Sequence, residues 1–441
     1  MNIKRFLTVV VGLLFSVQLF AQLELPAASP GATAYQKVGT TDVTIKYSSP
    51  GVKDRVIWGE LVPYDKLWRT GANAATWIEF STDVKVEGND VKAGKYGLFT
   101  IPGKDEWTVI INSTWDMGGT SNYKEEEDVL RFKVKPVKNH FHEGMVFNFN
   151  FDTPTISTIA LEWENLKVPF KVESHLSDAT SKEVRPSPNS MVHKRVGLTD
   201  ITVTYGSPGV KGRTIYGDLV PYDKMWRAGA NEATTIELST DAKIGGKDVP
   251  AGKYSLFTIP TEGDWTVIIN KVSDQWGGYN YDEAQDIARF TVTPKKSDHP
   301  HERLKFGFTN LEYNSAHLVL AWADLMVPIK VEVDVNKKAI QNIKKAFDEA
   351  KEDDWVVYAS ASNFAADQNM KLDEAMEWID KSIAIKNHYW NNWIKAKIQL
   401  AKGDKEGAKI SCQNSRKAGE EAPDNFAGFE KNVADLEAKL N

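Results

Sequence analysis

Hydrophobic and polar residues alternate with a period of two over most of the chain before residue 335. Apolar Val43, Ile45 and Tyr47 are separated by polar residues, and residues 130–134 and 147–151 repeat this pattern. Alternation of this kind is typical of strands that bury one face. Residues 95–102, 107–112 and 156–163 also read as strands. No stretch of ten or more residues between these strands has helical spacing, so helical crossovers between parallel strands are not expected. We therefore predict about eight short antiparallel strands per domain, in a β-sandwich or jelly roll.

The apolar spacing becomes helical after residue 335. Ile340, Ile343 and Phe347 lie on one helical face, and Trp355 and Tyr389 stand 34 positions apart at the starts of similar segments. This spacing resembles tetratricopeptide repeats, with little more than two units present. A last helix is predicted from residue 424. The fold is therefore expected to be mostly β, with two tandem antiparallel β-sandwich (jelly-roll-like) domains and a C-terminal all-α helical-hairpin (tetratricopeptide-like) domain.

An internal repeat supports this division of the chain. Residues 38–112 and 196–270 align without a gap at an offset of 158, with 51 identities in 75 positions. A connector between the copies is rich in Ser, Lys, Glu and Pro, which suits a linker. The predicted boundaries follow in chain order: signal peptide 1–21, first sandwich 29–173, linker 174–186, second sandwich 187–333 and helical domain 336–441.

The N-terminus has the order of a secretory signal peptide. Lys4 and Arg5 precede a short apolar run, and small or polar residues lead to Ala21, where we predict cleavage. The apolar run is shorter than the roughly 20 residues that cross a bilayer, and no later stretch is apolar enough to do so. The mature protein is therefore expected to be exported, periplasmic or extracellular, without a membrane span.

The composition of the chain argues against a nucleic-acid partner and against sites built from several cysteines. The net charge is −6, from 54 Lys and Arg against 60 Asp and Glu, and no basic stripe stands out, so no nucleic-acid partner is predicted. Cys412 is the single cysteine, which excludes an internal disulfide framework and a multi-thiolate metal site. Fourteen tryptophans are about twice the usual number. Four of them, Trp107, Trp163, Trp265 and Trp322, fall in strand patterns and are predicted to be core residues.

The richest candidate chemistry lies in residues 49–73 and their twin 207–231, which lack strand patterning and are unusually long for loops. They combine arginine forks, aromatic faces and amides able to hold a small molecule, glycan or peptide. The competing interpretation is that these side chains satisfy the loop's own backbone. The candidate ligand residues are Arg55, Tyr64, Trp68, Arg69, Asn73, Arg213, Tyr222, Trp226, Arg227, Asn231 and Glu232.

These same residues carry a family resemblance. Both copies read W-R-x-G-A-N, then A-G-K-Y-x-L, then W-T-V-I-I-N, and the second copy adds Gly212-Arg213 and Asn231-Glu232-Ala233-Thr234. The pattern resembles the domain-of-unknown-function family numbered 2911, over about residues 29–173 and 187–333. The resemblance implies an exported β-rich protein of Bacteroidota or related bacteria and implies no established reaction.

Three functions remain open. The leading one is a non-catalytic binding or interaction protein, with a ligand loop in each sandwich and a helical tail that docks a protein partner or braces the second sandwich; no cofactor is predicted. The second is a carbohydrate-active hydrolase that uses Glu232 and Arg227. The third is a metal-binding protein that uses His140, His142, His299 and His301, which form two His-x-His-Glu pairs. The alternative for these histidines is a polar loop before the strand at Val146.

Overall fold

The computed structural model describes residues 23–175, 184–421 and 423–440. The predicted signal peptide and most of the predicted linker lie outside these residues. Within the described residues, the chain divides into a β-rich unit, residues 26–175 and 184–336, and a helical unit formed by residues 337–421 and 423–440 together with residues 23–25.

Ten strands form each repeat, two more than the pattern predicts. In the first repeat they are β1 Gly31–Val38, β2 Thr41–Ser48, β3 Trp77–Phe80, β4 Val84–Val86, β5 Asn89–Val91, β6 Gly94–Ile101, β7 Trp107–Asn112, β8 Asp128–Val134, β9 Val137–Thr153 and β10 Ile156–Ser174. The second repeat has β11 Asn189–Val196, β12 Thr199–Gly206, β13 Thr235–Leu238, β14 Ala242–Ile244, β15 Lys247–Val249, β16 Gly252–Ile259, β17 Trp265–Asn270, β18 Asp286–Val292, β19 Lys295–Thr309 and β20 Ser315–Val333.

The two repeats share one twelve-stranded sheet. Its strand order is β18-β17-β16-β13-β12-β11-β1-β2-β3-β6-β7-β8, and each repeat adds a separate four-stranded sheet, β5-β4-β10-β9 or β15-β14-β20-β19. All paired strands named here run antiparallel, as the pattern predicts. The repeats join where β1 pairs with β11 around Ala34 opposite Val192. Val192 is the repeat partner of Ala34, so the pairing has local two-fold symmetry.

Each four-stranded sheet packs on its half of the large sheet, which makes a sandwich in each repeat. In the first repeat one buried apolar cluster takes residues from both sheets, such as Ile45 and Leu98 from the large sheet and Val172 from the small one. The alternation read from the sequence is the burial pattern of these strands: β2 buries every second residue. Trp107 and Trp163 and their twins Trp265 and Trp322 are at most 1% exposed, as predicted.

The last hairpin of each repeat is much longer than the sequence suggests. Strands β9 and β10 span 17 and 19 residues, and β9 begins at Val137 rather than near Val146. Shifts in the β9–β10 register mark bulges within this hairpin. The prediction that His140 and His142 lie in a loop is therefore wrong, and β19 holds His299 and His301 in the same way. Few residues of these segments are apolar. Backbone pairing between the strands forms them, and such pairing leaves no alternation of apolar and polar residues in the sequence.

Seven α-helices lie in the described residues from Val335 onward. They are α1 Val335–Glu349, α2 Trp355–Asp367, α3 Leu372–Ile385, α4 Tyr389–Ala401, α5 Lys405–Gly419, α6 Pro423–Ala427 and α7 Glu430–Glu437. The single helix predicted from residue 424 is instead interrupted, because the chain turns at Gly428 and Phe429 between α6 and α7.

Helical hairpins repeat in this unit with the predicted spacing. Trp355 begins α2 and Tyr389 begins α4, and α2–α3 and α4–α5 are the two pairs. Asp404 caps α5 by accepting a hydrogen bond from the Gly407 backbone N–H at 2.9 Å, as its position after Gly403 suggests. Apolar faces of α2, α3 and α4 form one buried cluster, which includes Ile379. No helix in the described part of the chain is long and apolar enough to cross a membrane.

Candidate functional site

The loops 49–73 and 207–231 use their first arginines to hold their own backbone. Arg55 donates to the carbonyl oxygens of Gly51 at 2.6 Å and Val52 at 3.1 Å. Arg213 repeats both contacts in the second copy, at the same distances. Five donors in a planar fork suit such a turn, in which the Arg55 backbone N–H also donates to the Val52 carbonyl at 3.1 Å.

The loop tryptophans belong to the aromatic core. Trp68 stacks on Trp163 with ring centroids 6.0 Å apart, and its indole N–H donates to the Gly71 carbonyl at 3.1 Å. Trp58 and Trp107 pack edge-on against it. In the second copy Trp226 stacks in the same way on Trp322 at 5.8 Å. Their main contribution is aromatic packing, which covers the buried strand tryptophans.

The loop asparagines tie each loop to the start of its repeat. Asn73 has φ +57° and donates to the Ser29 carbonyl at 3.0 Å, and Asn231 has φ +63° and donates to the Ser187 carbonyl at 3.0 Å. Asparagine tolerates the left-handed region better than most residues do. These contacts agree with the interpretation that the motif holds the loop.

The remaining loop candidates keep partly exposed side chains. The half-buried Tyr64 and Tyr222 rings lie against Gly59 and Gly217, where an added Cβ would come within 2.9 Å of a ring carbon. Arg69 and Arg227 are half-buried, and the Nε of each is buried without a hydrogen-bond partner. Burial lowers the pKa of Arg227.

Glu232, the proposed hydrolase residue, forms a surface ion pair. Arg185 donates from Nη1 to both of its carboxylate oxygens at 2.8 Å. A glycosidase needs two carboxyl groups that face each other across the scissile bond. The carboxylate of Glu232 is instead neutralised by an arginine, so this contact does not favour catalysis.

The histidines of the two repeats meet in one row. His140 stacks on His299 with ring centroids 4.5 Å apart, and this contact joins β9 to β19. His142 lies 4.4 Å from His140, and His301 lies 4.6 Å from His299. The order along this histidine row is therefore His142, His140, His299, His301, with the repeat junction at its centre.

The histidine row borders a cleft of about 880 Å³ between the repeats. Backbone and side chains of β1 and β11 form its floor, including Gln36 and Ser190, which hydrogen-bond to each other at 3.2 Å. Strands β9 and β19 form its walls. Arg303 lies over the Phe151 ring at 4.0 Å, a cation–π contact across the junction.

A carboxylate and a lysine from different repeats also line the cleft. Glu162 is 5% exposed; it lies 3.1 Å from His142 Nε2 and accepts a hydrogen bond from Asn148 at 2.6 Å. Burial opposes ionisation of Glu162, but His142 and the charge of Lys305 outweigh it and lower its pKa to about 2. Burial lowers the pKa of Lys305, which has no hydrogen bond or ion pair within 4 Å among the described residues.

Two histidines of the row are neutral at pH 7. Burial, together with the neighbouring His142 and His299, lowers the pKa of His140 to about 4. Burial and the charge of Lys305 lower the pKa of His301 to about 4. A neutral imidazole offers one donor and one acceptor nitrogen, so these rings can hydrogen-bond to either kind of ligand group.

The geometry does not favour a metal centre. Within the described residues no group of three His, Cys, Asp or Glu side chains is placed to hold a metal ion. The imidazoles pack ring against ring, and Ser297 contacts His301 Nε2 at 3.0 Å. A metal site needs nitrogen atoms that converge on one point about 2 Å away, with a third protein ligand.

Sequence reasoning missed Lys305 and Glu162, although the repeats contain a signal for both. Val146 occupies the position equivalent to Lys305, and Ala321 the position equivalent to Glu162. These positions face each other in the two hairpins, as Val146 opposite Glu162 and Lys305 opposite Ala321. At each of these positions one repeat has a charged residue and the other an apolar one. Since both repeats form the same fold, folding does not require the charged residue, which indicates another role for it.

Comparison with known proteins bears out the resemblance seen in the sequence. The family model described as a protein of unknown function, DUF2911, matches the chain twice, over residues 29–172 and 187–331. A search of curated proteins finds no match to the chain.

Proposed function

The chain belongs to the DUF2911 family, and we propose that it is an exported, non-catalytic binding protein that holds a small anionic molecule in the cleft between its repeats. The ligand carries a carboxylate or phosphate group. The observation that carries this proposal is Lys305, a half-buried lysine that lines the cleft without a bonded partner.

Electrostatics favour an anion beside Lys305. Desolvation disfavours the charged ammonium, and the neighbouring Glu162 already contacts His142 and Asn148. An anion bound at the ammonium would offset this desolvation and would satisfy its donors. The neutral imidazoles of His140 and His301 would orient the rest of the ligand by hydrogen bonds.

Binding fits this site better than proton-transfer catalysis does. With a pKa near 2, Glu162 is too weak a base to accept a proton efficiently at neutral pH. The carboxylate of Glu162 is also engaged by His142 and Asn148. We also propose that the hairpins of the helical unit dock a protein partner, since two such repeats are fewer than a solenoid usually needs to cover its core.

The test replaces Lys305 by valine, the residue at the equivalent position of the first repeat. Inorganic phosphate and citrate serve as probes, and the thermal midpoint of the full chain is measured with each. We expect at least one probe to raise the midpoint of the parent and to leave that of Lys305→Val unchanged, because a ligand stabilises only the state that binds it. The unliganded variant should be at least as stable as the parent, since it no longer buries an unpaired amine.

Lys296→Val is the matched control, because Lys296 lies on the same strand, is exposed and does not line the cleft. Its probe response should equal that of the parent. A parent that responds to neither probe, or a Lys305→Val variant that responds fully, would overturn the proposal.

A further inference from the structure

The second repeat presents two exposed aromatic rings on the loop after β17. Trp276 is 54% exposed and Tyr279 is 86% exposed. The loop is held to the body of the repeat, because Trp276 forms a β-bridge with Glu232 and the Gly277 backbone N–H donates to the Asn231 carbonyl at 3.0 Å. Trp276 is thus presented on anchored backbone.

Charged groups border these rings. The Arg185 guanidinium lies 5.7 Å from the Trp276 ring centroid and also binds both oxygens of Glu232. Arg227 is within electrostatic range of Tyr279: burial lowers the pKa of Arg227, and the charge of the ionised Tyr279 side chain opposes this shift. Arg227 has no carboxylate within ion-pair distance among the described residues, whereas Arg185 has one.

The first repeat keeps the arginine, with Arg69 at the position of Arg227, but lacks the other four side chains. The loop there has the same length and equivalent anchors: the Ala75 N–H donates to the Met117 carbonyl as the Ala233 N–H does to the Gln275 carbonyl. The aligned residues are Gly118 for Trp276, Ser121 for Tyr279, Ala74 for Glu232 and Ala27 for Arg185. Since the fold forms without these four side chains in the first repeat, folding does not explain their presence in the second.

We propose that Trp276, Tyr279, Arg185, Arg227 and Glu232 form a glycan-binding platform that takes a sugar chain bearing carboxylate groups. Exposed aromatic faces that are bordered by polar groups mark ligand sites, and a sugar ring offers an apolar face that stacks on them. The paired Arg185 and Glu232 supply a donor and an acceptor for hydroxyl groups. Arg227 supplies the cation for the carboxylate.

The platform is independent of the cleft between the repeats. None of its residues lines that cleft, and its ligand is a polymer rather than a small molecule. Lys305→Val should therefore leave glycan binding unchanged, so the failure of one proposal would not decide the other.

The experiment measures binding of a tetrameric oligogalacturonate to the full chain by isothermal titration calorimetry. The fully methyl-esterified tetramer is the ligand control, because it keeps the sugar rings and removes the charge. We expect the acid form to bind at least tenfold more tightly than the ester. The double variant Trp276→Gly with Tyr279→Ser installs the first repeat's residues and should weaken binding of the acid form at least tenfold.

Trp115→Ala is the matched control, because Trp115 is a tryptophan of the first repeat that is 37% exposed and contacts Trp77 and Lys95. It should bind the acid form as the parent does. Arg227→Gln should abolish the preference for acid over ester. Equal affinity of the parent for both forms, or parent-like binding by the double variant, would overturn the proposal, as would a parent that binds neither form.

Discussion

Lys194 in β11 is buried without a partner, which is rare for a lysine. It is 6% exposed and has no hydrogen bond or ion pair among the described residues. Burial lowers the pKa of its amine to about 7. The equivalent residue of the first repeat is Gln36, whose amide donates to the Ser190 hydroxyl and accepts from that of Ser157. One copy thus places a satisfied amide where the other buries an amine.

Replacement of Lys194 by glutamine should stabilise the protein. The unfolded chain binds a proton on this lysine up to about pH 10.4, whereas the folded chain loses it near pH 7. Stability therefore rises with pH between these values in the parent, and Lys194→Gln should flatten that rise. We expect a gain of more than about 1 kcal/mol at pH 7, measured by urea unfolding. Lys243→Gln, at an exposed lysine, should change neither quantity.

The sequence predicts apolar residues of the core better than buried charges. Trp107 and Trp163 were identified because they fit the alternation of their strands. Lys194 and Lys305 occupy inward or cleft-facing positions that the same alternation would assign to apolar residues. Their surroundings are built from strands distant in the chain, so only the tertiary structure reveals them. The loop arginines Arg55 and Arg213 show the same limit, because the backbone acceptors of a long loop are known only once it is folded.

At the scale of elements, β9 and β19 bring the histidine row together. The alternation predicts only the second half of β9, because the half that carries the histidines lacks a regular run of apolar positions. Strand pairing continues there through the backbone, with bulges that shift its register. The sequence therefore indicated the His-x-His spacing correctly and placed it in the wrong element.

The histidine row should make the protein less stable in acid. His140 and His301 have pKa values of about 4 in the folded chain, below the ordinary 6.5, so the unfolded chain binds more protons between these values. Stability is then present above pH 6.5 and falls as the pH drops towards 4. Glu162 adds a further loss only below pH 4.5. The thermal midpoint should fall between pH 6.5 and 5.

Replacement of both histidines by glutamine isolates their contribution. The double variant His140→Gln with His301→Gln should lose most of the dependence between pH 6.5 and 5 and keep the loss below pH 4.5. His317→Gln is the control, because this histidine lies outside the row. A double variant whose midpoint falls as steeply as that of the parent would show that the row does not carry the effect.

At the scale of the whole β-rich unit, β1 and β11 join the repeats into one sheet. The sequence predicted two sandwiches and left open whether they touch, because pairing between edge strands depends on backbone groups rather than on a side-chain pattern. The β1–β11 register is self-complementary: Ala34 faces Val192, and Gln36 faces Ser190, the twin of Ala32. A free β1 edge therefore matches a second copy of itself.

The first repeat alone, residues 26–175, should form a dimer through β1. Its exposed edge would pair with the same edge of another copy around Ala34, since an isologous contact satisfies both edges at once. Light scattering coupled to size exclusion should give twice the mass of the fragment. Addition of residues 187–336 should convert this dimer to a mixed pair, and a fragment that stays monomeric at every concentration would contradict the interpretation.

Covalent fusion of the repeats lets their junction be asymmetric. In a dimer of identical chains every substitution appears twice, so a lysine at the position of Lys305 would be mirrored across the axis. The fused chain carries Lys305 once, and Val146 stands in the mirrored position. An anionic group bound there would meet one ammonium, on one side of the cleft only. An elongated ligand with one anionic end would therefore bind in a single orientation. A fixed orientation of the ligand in this nearly symmetric cleft arises from the difference between the two repeats, so neither repeat could provide it alone.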